Sequence, residues 1–130
     1  MNEVTHSLLE DKAVAFLRRN IHCTLVNKEV PSFVKYGIRK KKVIMDVVGV
    51  QRKAFNVSKY YIIECKVTYE DFNDKKRLMN YRRYPRRVKK YFLCPRKVIL
   101  ESHLRKKGLS SWGLLYLLKN GSIEVIKDAR

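Results

Sequence analysis

Tyr60-Tyr61-Ile62-Ile63-Glu64-Cys65-Lys66-Val67 is the stretch from which the architecture follows. Its apolar residues fall on both faces of an extended chain, the pattern of a strand covered on either side. Val43-Ile44-Met45-Asp46-Val47-Val48-Gly49-Val50 reads the same way. Side chains alternate along a strand, so Glu64 and Lys66 project from one face. If the two strands pair, Asp46 joins them there. Two carboxylates and an ammonium then meet inside a sheet, where each costs several kcal/mol unless it is paired or holds a cation.

Upstream, Leu8, Leu9, Ala13, Phe16 and Leu17 repeat at helical spacing, with Thr5 or Ser7 as cap, which predicts a helix over residues 5–19. Residues 21–30 read as a strand. Residues 31–42 read as an irregular, basic connection with a turn at Gly37. Strands over 43–50 and 59–67 follow, joined by residues 51–58. Residues 71–84 read as a helix stopped by Pro85, and Val88 to Cys94 as a strand. Residues 98–107 read as a short helix capped by Gly108. Asn120-Gly121 between two apolar runs marks a tight C-terminal hairpin.

A chain of 130 residues with 45% hydrophobic content supports one folded domain over residues 1–130. No segment approaches the roughly 18 consecutive apolar residues of a membrane span. The first residues, Met1-Asn2-Glu3-Val4, lack the basic and apolar run of a secretion signal. Cys23, Cys65 and Cys94 stand far apart in apolar runs, as buried reduced thiols do, which points to a reducing, cytoplasmic setting. Neither they nor His6, His22 and His103 have zinc-ligand spacing.

Phosphodiester hydrolysis needs a cation to neutralise the phosphate, an activated water, and help for the leaving oxygen. Mg²⁺ suits it, since it takes one or two carboxylates and keeps several waters. Asp46 and Glu64 would supply the carboxylates and the Cys65 backbone carbonyl a further oxygen. Lys66 would orient or deprotonate the water, or stabilise charge in the transition state. Burial would lower its pKa, as a base requires. Glu-x-Lys alone is a common tripeptide. Its position at the end of an apolar strand, with Asp46 inside another, gives it weight.

These residues resemble the PD-(D/E)xK nucleases of restriction-endonuclease-like fold. That pattern runs helix with an acid, strand with Asp, strand with Glu-x-Lys, helix, strand. Asp46, Glu64 and Lys66 match its three positions and Glu10 its helical acid, while Met45 stands where the motif's proline would be. Ile63-Glu64-Cys65-Lys66, Asp71 to Lys76, Tyr91-Phe92-Leu93-Cys94-Pro95 and Gly113-Leu114-Leu115-Tyr116 are similar to the MmcB-like branch of DNA-repair proteins. Archaeal Holliday-junction resolvases share the core. The resemblance implies an α/β fold with a central mixed sheet flanked by helices. It also implies metal-dependent cleavage of DNA, a metal or water-positioning role for Glu10, and a homodimer where two strands are cut. Mn²⁺ would substitute for Mg²⁺.

Lys and Arg number 30 against 12 acids, a net charge of +18, which attracts polyanions. Between Lys75 and Lys107 stand seven Lys and seven Arg against Glu101 alone. Arg82, Arg83, Arg86, Arg87, Lys89 and Lys90 are therefore the expected contacts to the DNA backbone. The interleaved Tyr81, Tyr84 and Tyr91 read as core. The competing reading is a non-catalytic nucleic-acid-binding protein that keeps the fold and the basic face.

Overall fold

The computed structural model describes residues 3–53 and 58–130. Met1, Asn2 and residues 54–57 of the connection expected over residues 51–58 lie outside the described residues. The elements are α1 (His6–Arg19), β1 (Leu25–Tyr36), β2 (Arg39–Arg52), β3 (Ser58–Cys65), α2 (Tyr69–Phe72), α3 (Lys75–Tyr81), β4 (Lys89–Pro95), α4 (Glu101–Lys106), β5 (Gly113–Leu117) and β6 (Ile123–Lys127). The six strands form one mixed sheet in chain order. The pairs β3–β4 and β4–β5 are parallel, and the pairs β1–β2, β2–β3 and β5–β6 are antiparallel. The protein is thus α/β, with helices on both faces of a mixed sheet, as the alternation of strands and helices predicts.

Alternation along the central strands separates two cores. Tyr61, Ile63, Cys65, Tyr91, Leu93 and Leu115 pack against Leu9, Ala13, Phe16 and Leu17 of α1. Ile62, Phe92, Cys94 and Leu114 face the opposite way, towards Phe72, Leu78, Leu104 and Trp112. Tyr81 and Tyr84 are in that second core and Tyr91 in the first, as expected of core tyrosines. Helix α1 starts where Thr5 accepts the amide of Leu8 at 3.1 Å. The C-terminal hairpin turns at Gly121, whose φ of +85° suits glycine, and the Asn120 side chain accepts from Ser122.

Two elements depart from the sequence expectation. Residues 31–42 are not an irregular connection. β1 continues through Pro31 to Tyr36, turns at Gly37 (φ +63°), and returns as β2 from Arg39. Pro31 is tolerated because β1 is an edge strand. The expected helix over 71–84 is two short helices. Thr68 caps α2 by accepting from Asp71, and Asp74 caps α3 by accepting from Arg77. Asp at such a position competes with the helix interior, so a second cap breaks the helix rather than extending it.

The β1–β2 ribbon also changes face midway. The ladder pairs Lys28 with Val47 and Val30 with Met45, passing over Glu29 and Asp46. Glu29 takes a left-handed conformation, φ +52°. Residues two apart on a strand normally share a face. Yet Val47 belongs to the α1-side core, whereas Val43 and Met45 belong to the other. Asp46 lies at this switch, and the β2–β3 ladder ends one residue away, at Val47 and Ile63.

Candidate functional site

Past the last rung, side chains replace the ladder. The Asp46 amide donates to Glu64 Oε2 at 3.0 Å, and the Cys65 amide donates to Asp46 Oδ2 at 2.7 Å. Each carboxylate thus satisfies a backbone donor that strand pairing no longer reaches. The Tyr84 hydroxyl donates to the other oxygen of Glu64. Glu64 is 2% exposed. Burial first, then the charge and contact of the Asp46 carboxyl, push its pKa well up, and the Tyr84 bond pulls the other way.

Lys66 lies on the same face and is as deeply buried as Glu64. Its Nζ is 3.9 Å from Asp71 Oδ1 and 5.0 Å from the centre of the Tyr81 ring. Burial pushes its pKa down, while Asp71 and Glu64 oppose the shift. The direction is the one expected from the sequence. Arg77 also pairs with Asp71.

From the other side, α1 brings His6 and Glu10. His6 Nε2 stands 3.2 Å from Asp46 Oδ2, and its Nδ1 3.8 Å from Glu10 Oε2. That Glu10 oxygen is buried and has no hydrogen-bond partner, which ordinarily costs about 1–3 kcal/mol. Burial raises the Glu10 pKa, His6 opposes, and Asp46 adds to the rise. Single ligand atoms of His6, Glu10 and Asp46 lie within 4.8 Å of one another. His6, Asp46, Glu64 and Lys66 line one cavity of about 540 Å³, with Lys42 and Arg77 among its walls.

The structure therefore brings together Asp46, Glu64 and Lys66, with Glu10 against Asp46 through His6. Cys65 is tied into the site by its amide. Three contributors were not foreseen. His6 lies four residues before Glu10 and so shares its helix face, a signal the spacing carried. Asp71, which faces Lys66, enters the sequence reading as the start of a helix and as part of the Asp71–Lys76 resemblance, without a role at the site. Tyr84 reaches Glu64 through tertiary packing and has no local signature. Of the weaker acids, Asp74 is spent on capping α3.

The expected phosphate contacts divide. Lys90 is corrected outright: it is 5% exposed, and its ammonium donates to the Pro85 carbonyl at 2.6 Å. Arg82 donates to the Lys107 carbonyl at 2.7 Å, and Arg83 lies over the Tyr36 ring at 4.0 Å. Arg86, Arg87 and Lys89 are exposed. The three cysteines are buried and unpaired. Among the described residues, no helix is long and apolar enough to cross a membrane.

No protein-family model matches the chain, and no curated protein matches it. Among solved structures it is similar to the SPO1766 protein of unknown function from Silicibacter pomeroyi. That likeness has 18% identity and a TM-score of 0.62, over all of this chain and 75% of that one, and it is a likeness of fold alone. Protein VC1899 from Vibrio cholerae is similar at 16% identity and a TM-score of 0.48, over 84% of this chain and 28% of that one.

Proposed function

We propose that the chain is a divalent-cation-dependent deoxyribonuclease with a restriction-endonuclease-like core. The observation that carries the reading is the burial of Glu64 and Lys66 beside one cavity that the half-buried Asp46 also lines, with a buried, unpartnered Glu10 oxygen on α1. Folding alone gives no reason to bury Glu10 and Glu64 around a half-buried Asp46, and each enclosed charge is costly there. The donor set is oxygen-rich, which fits Mg²⁺ or Mn²⁺. Asp46 and Glu64 would hold the ion, with the Cys65 carbonyl and Glu10 as further donors. When bound, it would neutralise phosphate charge and acidify water.

The chain's own residues do the rest. The Cys65 amide fixes the Asp46 carboxylate, and Tyr84 fixes that of Glu64. Lys66, whose neutral form burial favours, would take a proton from the attacking water as the amine, or as the ammonium donate to the oxygen that gains charge. Asp71 and the Tyr81 ring hold its ammonium in place.

The test is cleavage of duplex, single-stranded, flap and four-way-junction DNA in Mg²⁺ and in Mn²⁺, by wild type beside Glu64→Ala and Lys66→Ala. Wild type should cut at least one substrate. Lys66→Ala should lose about 10²–10⁴-fold in rate while keeping its DNA affinity. A second reading, a non-catalytic nucleic-acid-binding module, is favoured by the occupation of both Glu64 oxygens by protein donors. It predicts salt-sensitive binding with no cutting of any substrate in either metal.

A further inference from the structure

The β1–β2 arm creates a second concavity that sequence reading did not anticipate. The β2–β3 ladder ends at Val47, so among the described residues β2 has a strand on one side only from Asp46 back to Arg39. Lys76 and Met79 of α3 line one concavity with Arg39, Lys40, Lys41 and Lys42 of this stretch. Tyr36 donates its hydroxyl to Asn80, and the Arg83 guanidinium covers the Tyr36 ring, which fixes the arm against α3 and the residues after it. Between these walls runs a groove of about 710 Å³ lined by Arg39, Lys40, Lys41, Lys42, Lys76 and Tyr36, with Met79 at the side. Every charged residue lining it is a cation, and all five are exposed.

Folding does not ask for this arrangement. Lys40 stands directly opposite Lys35 on the ladder, a like-charge pair that weakens strand pairing. Arg39 to Lys42 add four neighbouring charges with no acid among the groove's lining. The groove is not isolated, because Lys42 lines both it and the carboxylate cavity. Four strand residues span roughly 13 Å. That length takes a short run of consecutive phosphates along one strand.

We propose that this groove is the polyanion track of the protein, holding the phosphodiester backbone of a nucleic acid between the open edge of β2 and α3 and leading it to Asp46 and Glu64. The choice of nucleic acid over an acidic polypeptide rests on the nuclease reading of the adjoining cavity. The track moves the principal contact away from residues 82–90. There, Lys90, Arg82 and Arg83 are already engaged within the protein.

The experiment measures binding apart from cutting. Fluorescence anisotropy of labelled duplex and single-stranded DNA is recorded in EDTA, over a series of salt concentrations. The proteins are wild type, Lys41→Glu/Lys76→Glu, which reverses one cation on each wall, and Arg86→Glu/Arg87→Glu. Thermal midpoints and the milder Lys41→Ala/Lys76→Ala pair control for folding. The groove reversal should lower affinity by about tenfold or more and reduce the salt slope by about 2. The Arg86/Arg87 reversal should do distinctly less.

Equal losses from the two reversals, or an unchanged slope for the groove variant, would overturn the track. So would competition by poly-glutamate as effective as competition by unlabelled DNA at equal charge. Binding through Lys41 and Lys76 without cleavage in Mg²⁺ or Mn²⁺ would leave the track standing and remove the nuclease. Cleavage by a protein whose affinity ignores both lysines would do the reverse.

Discussion

At the scale of the residue, the protein's chemistry concentrates in Glu64. Its carboxyl is enclosed, faces the Asp46 carboxyl, and is oriented by the Tyr84 hydroxyl and the Asp46 amide. Burial and Asp46 hold its folded pKa above the unfolded value of 4.5. In the window above 4.5 the folded state therefore binds more protons than the unfolded one. Stability without metal falls as pH rises through that window. Lys66, lowered by burial, acts with opposite sign and nearer its own usual value of 10.5: there the unfolded state binds more protons, and stability rises with pH. Glu64→Gln removes the titrating carboxyl. In EDTA it should be more stable than wild type at neutral pH, with a flatter pH dependence above pH 4.5, by thermal unfolding. It should also lose the stabilisation that Mn²⁺ gives wild type. A variant less stable than wild type at every pH would mean that Glu64 is ionised and structurally paired in the resting protein, not waiting for a cation.

At the scale of the element, the site exists because α1 lies close on the sheet. The close approach is set by Gly49 of β2, where a Cβ would lie 2.9 Å from both Cys23 Sγ and Leu17 Cδ1. Gly49→Ala should push α1 outward and cost about 1–3 kcal/mol in denaturant unfolding. It should also slow cleavage, because α1 carries His6 and Glu10 to Asp46. Full stability with normal cleavage would show that Leu17 and Cys23 swing aside and α1 need not move. The strands from Val43 and Tyr60 and the C-terminal hairpin were legible because continuous apolar runs and Asn-Gly are strong local signals. The β1–β2 arm was not. Its distal half alternates weakly, contains Pro31, and carries Arg39 to Lys42, all of which read locally as a connection. Pairing between its own two strands overrides that local reading. The helix break at Asp74 was a competition between cap and interior that helical spacing alone does not resolve.

At the scale of the whole molecule, charge is the property most plainly written in the sequence and its placement the least. A count gives +18 but not the surface that uses it. Asp46, Glu64 and Glu10 are committed to the site, and Asp11 and Asp71 are paired with Lys28 and Arg77. The 30 cations far outnumber these acids, and on the β1–β2 arm Lys35 and Lys40 face each other across the ladder. Self-repulsion of this kind destabilises the compact state and is screened by salt. The screening length shortens from about 10 Å at 0.1 M to about 3 Å at 1 M. If relief amounts to about 1 kcal/mol, the thermal midpoint should rise by roughly 4 °C as NaCl is raised through that range. At low salt, a DNA duplex should raise it by binding the folded state more tightly than the unfolded chain. Lys41→Glu/Lys76→Glu should start from a higher midpoint and gain less from either addition, since it removes repulsion and anion site together. A midpoint that falls with salt would mean that the carboxylate–cation pairs outweigh the repulsion. The excess of Lys and Arg would then be spread too thinly to act as one surface.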